Sequence, residues 1–426
     1  MTLVRGDVLT DGTRDPEIAG KRLLILGAGL WQVDYIRRAR RLGAETWATD
    51  WSTNAVGRDE ADHFEPVDLK NVDATLELAR NSRVDGVFTA ADIGVPTAAY
   101  VAERLGLPGP SLRLAEEATN KFAMRRRAQS IGLNCPHFER VCSSDDLHAG
   151  RALPALPVIV KPVDNCSSRG VRFVADATAL EPAVDEAISA SRCGQALVEQ
   201  FLTGTEGSIE ALVQHGSVTI LGICDKTKSA LPHRYDLELR YPGAYPPVVR
   251  RALHEFIQRL AGGFGVENGI LHVEFLVSDV DQRVFLIEFA LRGCGSKVIT
   301  HLMPHLTGID VVRVLLRQAL GFDTHTEVMR HMHGALQFLI FPRGRITAVR
   351  GEADARLMRG VIDACVERQP GDTIEEVRDG RSRPGHVLVY GRTRDEVQDV
   401  LRAVRATIRI DYEGALGVAP LECAAV

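Results

Sequence analysis

Short apolar runs bounded by glycine and proline alternate with stretches of helical period along most of the chain. Residues 21–29, KRLLILGAG, read as a buried strand entering a glycine turn. Helical spacing over 31–42 stops at Gly43, and ETWATD resumes as a strand. A helix around 72–80, the strand DGVFTA at 85–90 and a helix over 95–105 extend this βαβ opening to a break at LPGPS. The pattern predicts a small doubly wound α/β domain over 20–115, preceded by a polar, loosely held leader over 1–19.

A helix over 111–131 opens a second region, 116–333. In it LPVIVKP is a buried strand, DNCSSRG a loop, VRFVAD a strand, 180–190 a helix and QALVEQFL a strand. SIEALVQHG and SVTILGICDKT read as a hairpin, and 229–247 as an irregular Pro- and Tyr-rich stretch. Helices over 247–263 and 307–321 flank two further strands, HVEF at 272–275 and FLIEFALRG at 285–293. From 334 to 426 the pattern changes to an α+β segment. It runs as strand GALQFLIF, turn PRGRIT, helix 354–360, strand DACVER, a loop, strand HVLVYG, and a helix over 393–410 that Thr393 would cap.

Composition narrows the class. Of 426 residues 45% are hydrophobic and 25% charged, which suits a globular chain of two or three domains. The net charge of −5 lacks the basic footprint of a nucleic-acid binder, and KFAMRRR is short enough to be one helix face. No apolar run approaches the ~20 residues that span a bilayer. The eight cysteines (Cys135, Cys142, Cys166, Cys193, Cys224, Cys294, Cys365 and Cys423) include no CxxC pair. That spacing argues against a disulfide framework and fits a reducing, cytoplasmic setting.

The candidate chemistry starts with two acids. If HVEF and FLIEFALRG close as a hairpin over a three-residue loop, Glu274 and Glu288 fall opposite on one face. Cross-strand pairs sit about 5 Å apart, and like charges there destabilise unless a cation lies between them. Paired carboxylate oxygens suit Mg²⁺. About a hundred residues earlier, Lys161 ends a strand and the small loop Asn165-Cys166-Ser167-Ser168-Arg169-Gly170 follows. Such loops bring N–H groups and hydroxyls to phosphate oxygens, with lysine and arginine adding positive charge. The two features together predict a Mg²⁺–nucleotide site. The first turn, Gly27-Ala28-Gly29 with Asp50 about 20 residues on, imitates a dinucleotide fingerprint, but Gln32 stands where its third glycine belongs. A tight βα turn is at least as good a reading.

In this order the motifs resemble the ATP-grasp superfamily over nearly the whole chain, and within it the L-amino acid ligases. The resemblance implies an ATP-grasp fold: an N-terminal doubly wound α/β domain, a two-lobed ATP-binding region and a C-terminal lid-like α+β segment. It implies that Lys121 and Lys161 contact phosphates, beneath a mobile loop holding Ser167, Ser168, Arg169 and Gly170. Glu199, Gln200, Phe201 and Leu202 would read adenine through their main chain, and Glu206 would hold the ribose. Glu274 and Glu288 would bind Mg²⁺, or Mn²⁺ in its place, and Arg292 would steady the transferred phosphate. Arg240, Asp236, Glu238 and Ser296 are the implied substrate residues, with Lys297 and His301 nearby. His272 shares the face of Glu274. One position departs: Ala290 replaces the family's usual metal-binding Asn.

The implied reaction is amide formation between a small carboxylic acid and an amine, through an acyl phosphate with release of ADP and phosphate. Neither nucleic acid nor membrane is an implied partner, and a homodimer is the assembly common in the family. Three rival readings stand: a formate- or bicarbonate-using relative, an ATP-binding protein that has lost turnover through Ala290, and an NAD-dependent oxidoreductase built on the first glycine turn. Cys166 and Cys294 read as small loop residues.

Overall fold

The computed structural model describes residues 14–148, 152–231 and 233–421. Most of the predicted leader, 1–13, lies outside them. Its last residues are not loose: Asp15 and Ile18 are buried. Asp15 takes Arg313 Nε at 2.7 Å and Arg317 Nη1 at 3.1 Å.

The N-terminal domain is a parallel sheet. β1 (Arg22–Leu26), α1 (Val33–Leu42), β2 (Glu45–Thr49), β3 (His63–Glu65), α2 (Val72–Ser82), β4 (Gly86–Thr89) and α3 (Val95–Leu105) give the strand order β3-β2-β1-β4. Leu23, Leu24, Ile25 and Leu26 are all buried, as a strand covered on both faces requires. At three residues, β3 is too short to show a period.

The helix predicted over 111–131 is two, α4 (Leu112–Thr119) and α5 (Lys121–Ser130). Asn120 separates them with extended backbone, φ −123° and ψ 108°, and its side chain accepts the Ala123 N–H at 3.1 Å. This N-cap sets Lys121 in the first turn of α5. Then come β5 (Phe138–Val141), β6 (Val158–Pro162), β7 (Arg172–Val174), α6 (Leu180–Ala190) and β8 (Ala196–Gln200), in an antiparallel sheet ordered β5-β8-β6-β7.

The second lobe holds β9 (Gly204–Gln214), β10 (Ser217–Lys228), β11 (Asp236–Tyr241), α7 (Pro247–Phe264), β12 (Asn268–Ser278) and β13 (Val284–Ala290). β11 corrects the irregular reading of 229–247, because DLELRY alternates and its Leu239 and Tyr241 are buried. A π-helical turn, Val298–Leu302, leads into α8 (Met303–Thr307) and α9 (Val311–Ala319). The helix predicted over 307–321 starts only at Val311: Gly308, at φ 80°, ends α8, and Asp310 caps α9 by accepting the Arg313 N–H.

The C-terminal segment comprises β14 (His333–Leu339), β15 (Gly344–Arg350), α10 (Glu352–Leu357), β16 (Val361–Val366), β17 (Thr373–Ile374), β18 (Gly385–Gly391), α11 (Arg394–Thr407), β19 (Arg409–Tyr412) and β20 (Ala415–Val418). Much of the predicted PRGRIT turn is thus the start of β15. Thr393 caps α11 as predicted, but the helix ends at Thr407 and the chain resumes as β19. The segment is built into the main sheet. β14, β18 and β16 complete one eight-stranded sheet, β13-β12-β9-β10-β11-β14-β18-β16. A continuous core joins this sheet to the first domain, with Tyr35 and Ile36 of α1 in the same cluster as Leu212, Leu239, Leu302 and Leu316.

Candidate active site

Glu274 and Glu288 face each other across β12 and β13. The predicted loop is not what aligns them. The pairing slips by one residue between Glu274 and Phe275, and this bulge brings the acids into line. Their side chains keep 27% and 30% exposure, so solvent and solutes reach both. Lysines already stand beside them: Lys226 Nζ lies 2.6 Å from Glu274, and Lys121 Nζ 3.2 Å from Glu288. Two accessible oxygen ligands over a polar floor fit a Mg²⁺ ion completed by waters and phosphate oxygens. Ala290 offers it nothing.

The charges beside the pair form a relay across four strands. Glu206 accepts Lys228 at 2.5 Å and Arg234 at 2.7 Å, and Asp236 lies 3.5 Å from Lys228 and 3.3 Å from Lys226. Lys226 in turn holds Glu274. His272 connects Glu274, at 3.5 Å, to the buried Glu210, at 2.5 Å. Burial alone would suppress charge here, but the partners outweigh it. The carboxyls of Glu206, Asp236 and Glu274 stay below their usual range, and Lys226 and Lys228 above theirs.

His272 carries a testable sign. Burial pushes its pKa down, yet Glu210 and Glu274 prevail and raise it from 6.5 to about 9. A raised pKa stabilises fully below pH 6.5, and the contribution is lost as pH climbs through about 9. The wild type should therefore lose stability over that window, by at most on the order of 3 kcal/mol. His272→Gln should flatten this part of the profile in chemical unfolding at pH 6 and pH 9.5. An unchanged slope would assign the loss to other groups.

Lys161 and Glu199, on the neighbouring strands β6 and β8, form an ion pair. Lys161 Nζ is 2.5 Å from Glu199, whose other oxygen accepts Arg125 Nε at 2.8 Å. Burial lowers the Lys161 pKa, with Glu199 opposing it. Lys121 Nζ donates to the Asn165 carbonyl at 2.6 Å, and so touches both the loop and Glu288. Ser167, Ser168 and Gly170 have φ of 60°, 58° and 70°, an unusual left-handed cluster that turns the loop sharply. At Gly170 a Cβ would come within 2.9 Å of Pro162 and of Ala190, so only glycine fits. Arg169 is turned inward onto Asn165. The C-terminal segment reaches this loop, since the Gly380 N–H donates to the Ser167 carbonyl at 3.2 Å. In the predicted adenine strip, the N–H groups of Gln200 and Phe201 already serve the carbonyls of His137 and Pro157. Leu202 follows the end of β8.

Arg292 is held by Asp92 through two bonds of 2.8 and 2.6 Å. Burial raises the Asp92 pKa, but Arg292 and Lys121 bring it below the usual range. Ser296, at φ 51°, lines a cavity with Trp31, Tyr35, Cys294 and Lys297.

The substrate residues predicted on β11 separate. A register slip beside Thr227 turns Asp236 onto the face of Lys228. Arg240 instead meets Asp225 at 3.0 Å, and the buried Glu238 binds Gln337 and Gln398 at 3.0 and 3.3 Å. Both therefore face α11, away from the glutamate pair. Arg240→Ala should leave KM for both substrates unchanged in steady-state assays; a large rise in either would return Arg240 to the site.

Three family models match successive parts of the chain. The ATP-grasp N-terminal domain matches residues 36–109, the ATP-grasp domain 154–301, and the L-amino acid ligase C-terminal domain 2 matches 337–413. The chain belongs to the ATP-grasp superfamily. Alanine–anticapsin ligase of Bacillus subtilis is 26% identical over 60% of this chain and 58% of its own length, so the chain spans less than two thirds of that relative. A formate-dependent phosphoribosylglycinamide formyltransferase of Rhodococcus jostii is 28% identical, over 72% of this chain and 74% of its own. The crystal structure of an L-amino acid ligase from Bacillus licheniformis superposes with a TM-score of 0.80 at 23% identity, covering 92% of this chain and 99% of that one.

In this ATP-grasp chain the first glycine turn is structural. Asp50 accepts the Ala28 N–H at 3.0 Å, and Gln32 packs against both Gly27 and Gly29. No helix among the described residues is long and apolar enough to cross a membrane. The sequence reading missed Asp92, Lys226, Lys228, Glu210 and Arg125. Glu206 and Glu210, four residues apart on one strand face, and Lys226 and Lys228, two apart, were the available signal for three of them.

Proposed function

We propose that this chain is an ATP-dependent carboxylate–amine ligase joining amino acids, or acids like them, through an acyl phosphate. One observation carries the reading. Lys121 bridges the loop carbonyl of Asn165 and the carboxylate of Glu288, so a phosphate-loop candidate and a metal-pair candidate share one ammonium group. Phosphoryl transfer needs that combination of positioning and charge neutralisation rather than a protein nucleophile.

The roles follow. Glu274 and Glu288 would hold Mg²⁺, or Mn²⁺, which when bound neutralises the charge of the transferring phosphate. Lys121 and Lys161 bind phosphate oxygens, and Ser167, Ser168, Arg169 and Gly170 cover them and exclude water. The strip from Glu199 to Leu202 frames adenine, with Leu202 past the end of β8. Glu206 takes the ribose hydroxyls, sharing its oxygens with Lys228 and Arg234. Arg292, fixed by Asp92, steadies the transferring phosphoryl group and then the tetrahedral adduct. Asp236 and Ser296 lie on the substrate side.

A second reading is favoured by the formyltransferase relative: formate or bicarbonate as the carboxylate. Nucleotide release from Mg-ATP distinguishes the two. ADP and phosphate appearing only with an amino-acid pool support the ligase, and ADP release driven by formate or bicarbonate alone supports the second reading. AMP and pyrophosphate would overturn both.

A further inference from the structure

Beside the paired glutamates lies a second cluster with a different chemistry. Glu210 on β9 and His272 on β12 are cross-strand partners. Cys294 follows β13 and returns to them, its N–H donating to Glu210 Oε2 at 3.0 Å. One ligand atom from each of the three lies within 4.8 Å of the others. Glu210 and His272 are buried, while Cys294, partly buried, also lines the cavity with Trp31, Tyr35 and Ser296.

We propose that Glu210, His272 and Cys294 form a binding site for a borderline d-block divalent cation of the Zn²⁺ class, separate from the oxygen-only pair of Glu274 and Glu288. The donor set decides the class. Imidazole with thiolate and one carboxylate selects Zn²⁺ or Co²⁺ over Mg²⁺, which prefers oxygen alone. Three protein ligands with a fourth direction toward a cavity is the form of an open zinc site.

The ring of His272 is held in place from both sides. Its Nδ1 faces Glu210, and its Nε2 faces Glu274 Oε1 at 3.5 Å. A ligating histidine characteristically points its other nitrogen at a carboxylate, which fixes the tautomer. Ala290 is the cross-strand partner of His272 on the other side and brings no competing donor. Binding would break the hydrogen bond between His272 Nδ1 and Glu210 Oε1, which must part for both to ligate, and would release the thiol proton and the proton of that bond to solvent. The fourth position faces the cavity lined by Trp31, Tyr35 and Ser296.

The test uses the full chain, stripped with a chelator, dialysed into Mg²⁺ buffer and titrated with Co²⁺. The expected result is a thiolate-to-cobalt charge-transfer band saturating at one Co²⁺ per chain, displaced by Zn²⁺. Glu288→Gln should keep the band, which separates this site from the metal pair of the proposed function. Cys294→Ser should abolish it and weaken Zn²⁺ binding by about tenfold or more. X-ray absorption of the Zn²⁺-loaded wild type checks the same point without a variant, and should show one sulfur at about 2.3 Å among N/O ligands. No charge-transfer band, a band undiminished in Cys294→Ser, or a sulfur-free zinc shell would each overturn the proposal.

Discussion

Glu288→Gln is expected to lower kcat for ADP release by about a hundredfold or more while the protein stays folded. The amide keeps the shape of the side chain but removes one of two opposed charges, and a factor of a hundred corresponds to about 2.7 kcal/mol of transition-state stabilisation. The cost to the fold is small for a physical reason. Glu288 is 30% exposed and its one ion pair among the described residues, to Lys121, is long at 3.2 Å. Such a pair is worth about 1 kcal/mol at most. Lys121 keeps its bond to the Asn165 carbonyl, so the loop stays anchored. Steady-state kinetics with a thermal melt on the same sample checks both halves. Full activity in a folded variant would remove Glu288 from the metal site.

Arg292→Ala should lower kcat by about 10²- to 10³-fold and leave ATP affinity nearly unchanged. A guanidinium aimed at charge that develops during transfer acts in the transition state, whereas Lys121 and Lys161 supply ground-state binding. The variant needs a companion, because Asp92 is bound to Arg292 by two short hydrogen bonds. Asp92 is 26% exposed, so leaving that carboxylate unpaired costs less than the full penalty of a buried charge but still perturbs the site. Asp92→Asn with Arg292→Ala removes the orphan charge, so a fold defect and a catalytic defect separate. Equal losses in kcat and in ATP affinity would reduce Arg292 to a ground-state role.

Much of this site was legible because strands advertise their faces. HVEF and FLIEFALRG each carry one acid in an apolar run, and the pair is opposed in the structure. The bulge that secures the register was not legible, since a one-residue slip leaves no mark in composition. The same limit hid which face Arg240 occupies. DLELRY alternates, but the slip beside Thr227 decides which of its charges joins Lys228. Lys226 and Lys228 share a face, yet their partners sit on β9, β11 and β12, and the strand order β13-β12-β9-β10-β11 does not follow the chain. Asp92 and Arg292 are two hundred residues apart. The helix broken at Asn120 is a local failure: helical spacing continues through 111–131, and only the capping asparagine marks the break that brings Lys121 to Glu288.

The central claim is that the carboxylate is activated by phosphorylation. Once nucleotide release has identified the carboxylic acid, the direct measurement is turnover with that acid labelled by ¹⁸O in both carboxyl oxygens. Attack of one labelled oxygen on the γ-phosphoryl group, then displacement by the amine, must carry that oxygen into inorganic phosphate and leave the other in the amide. One ¹⁸O per phosphate formed is the predicted result. Label appearing in AMP, or phosphate without label, would contradict an acyl-phosphate route.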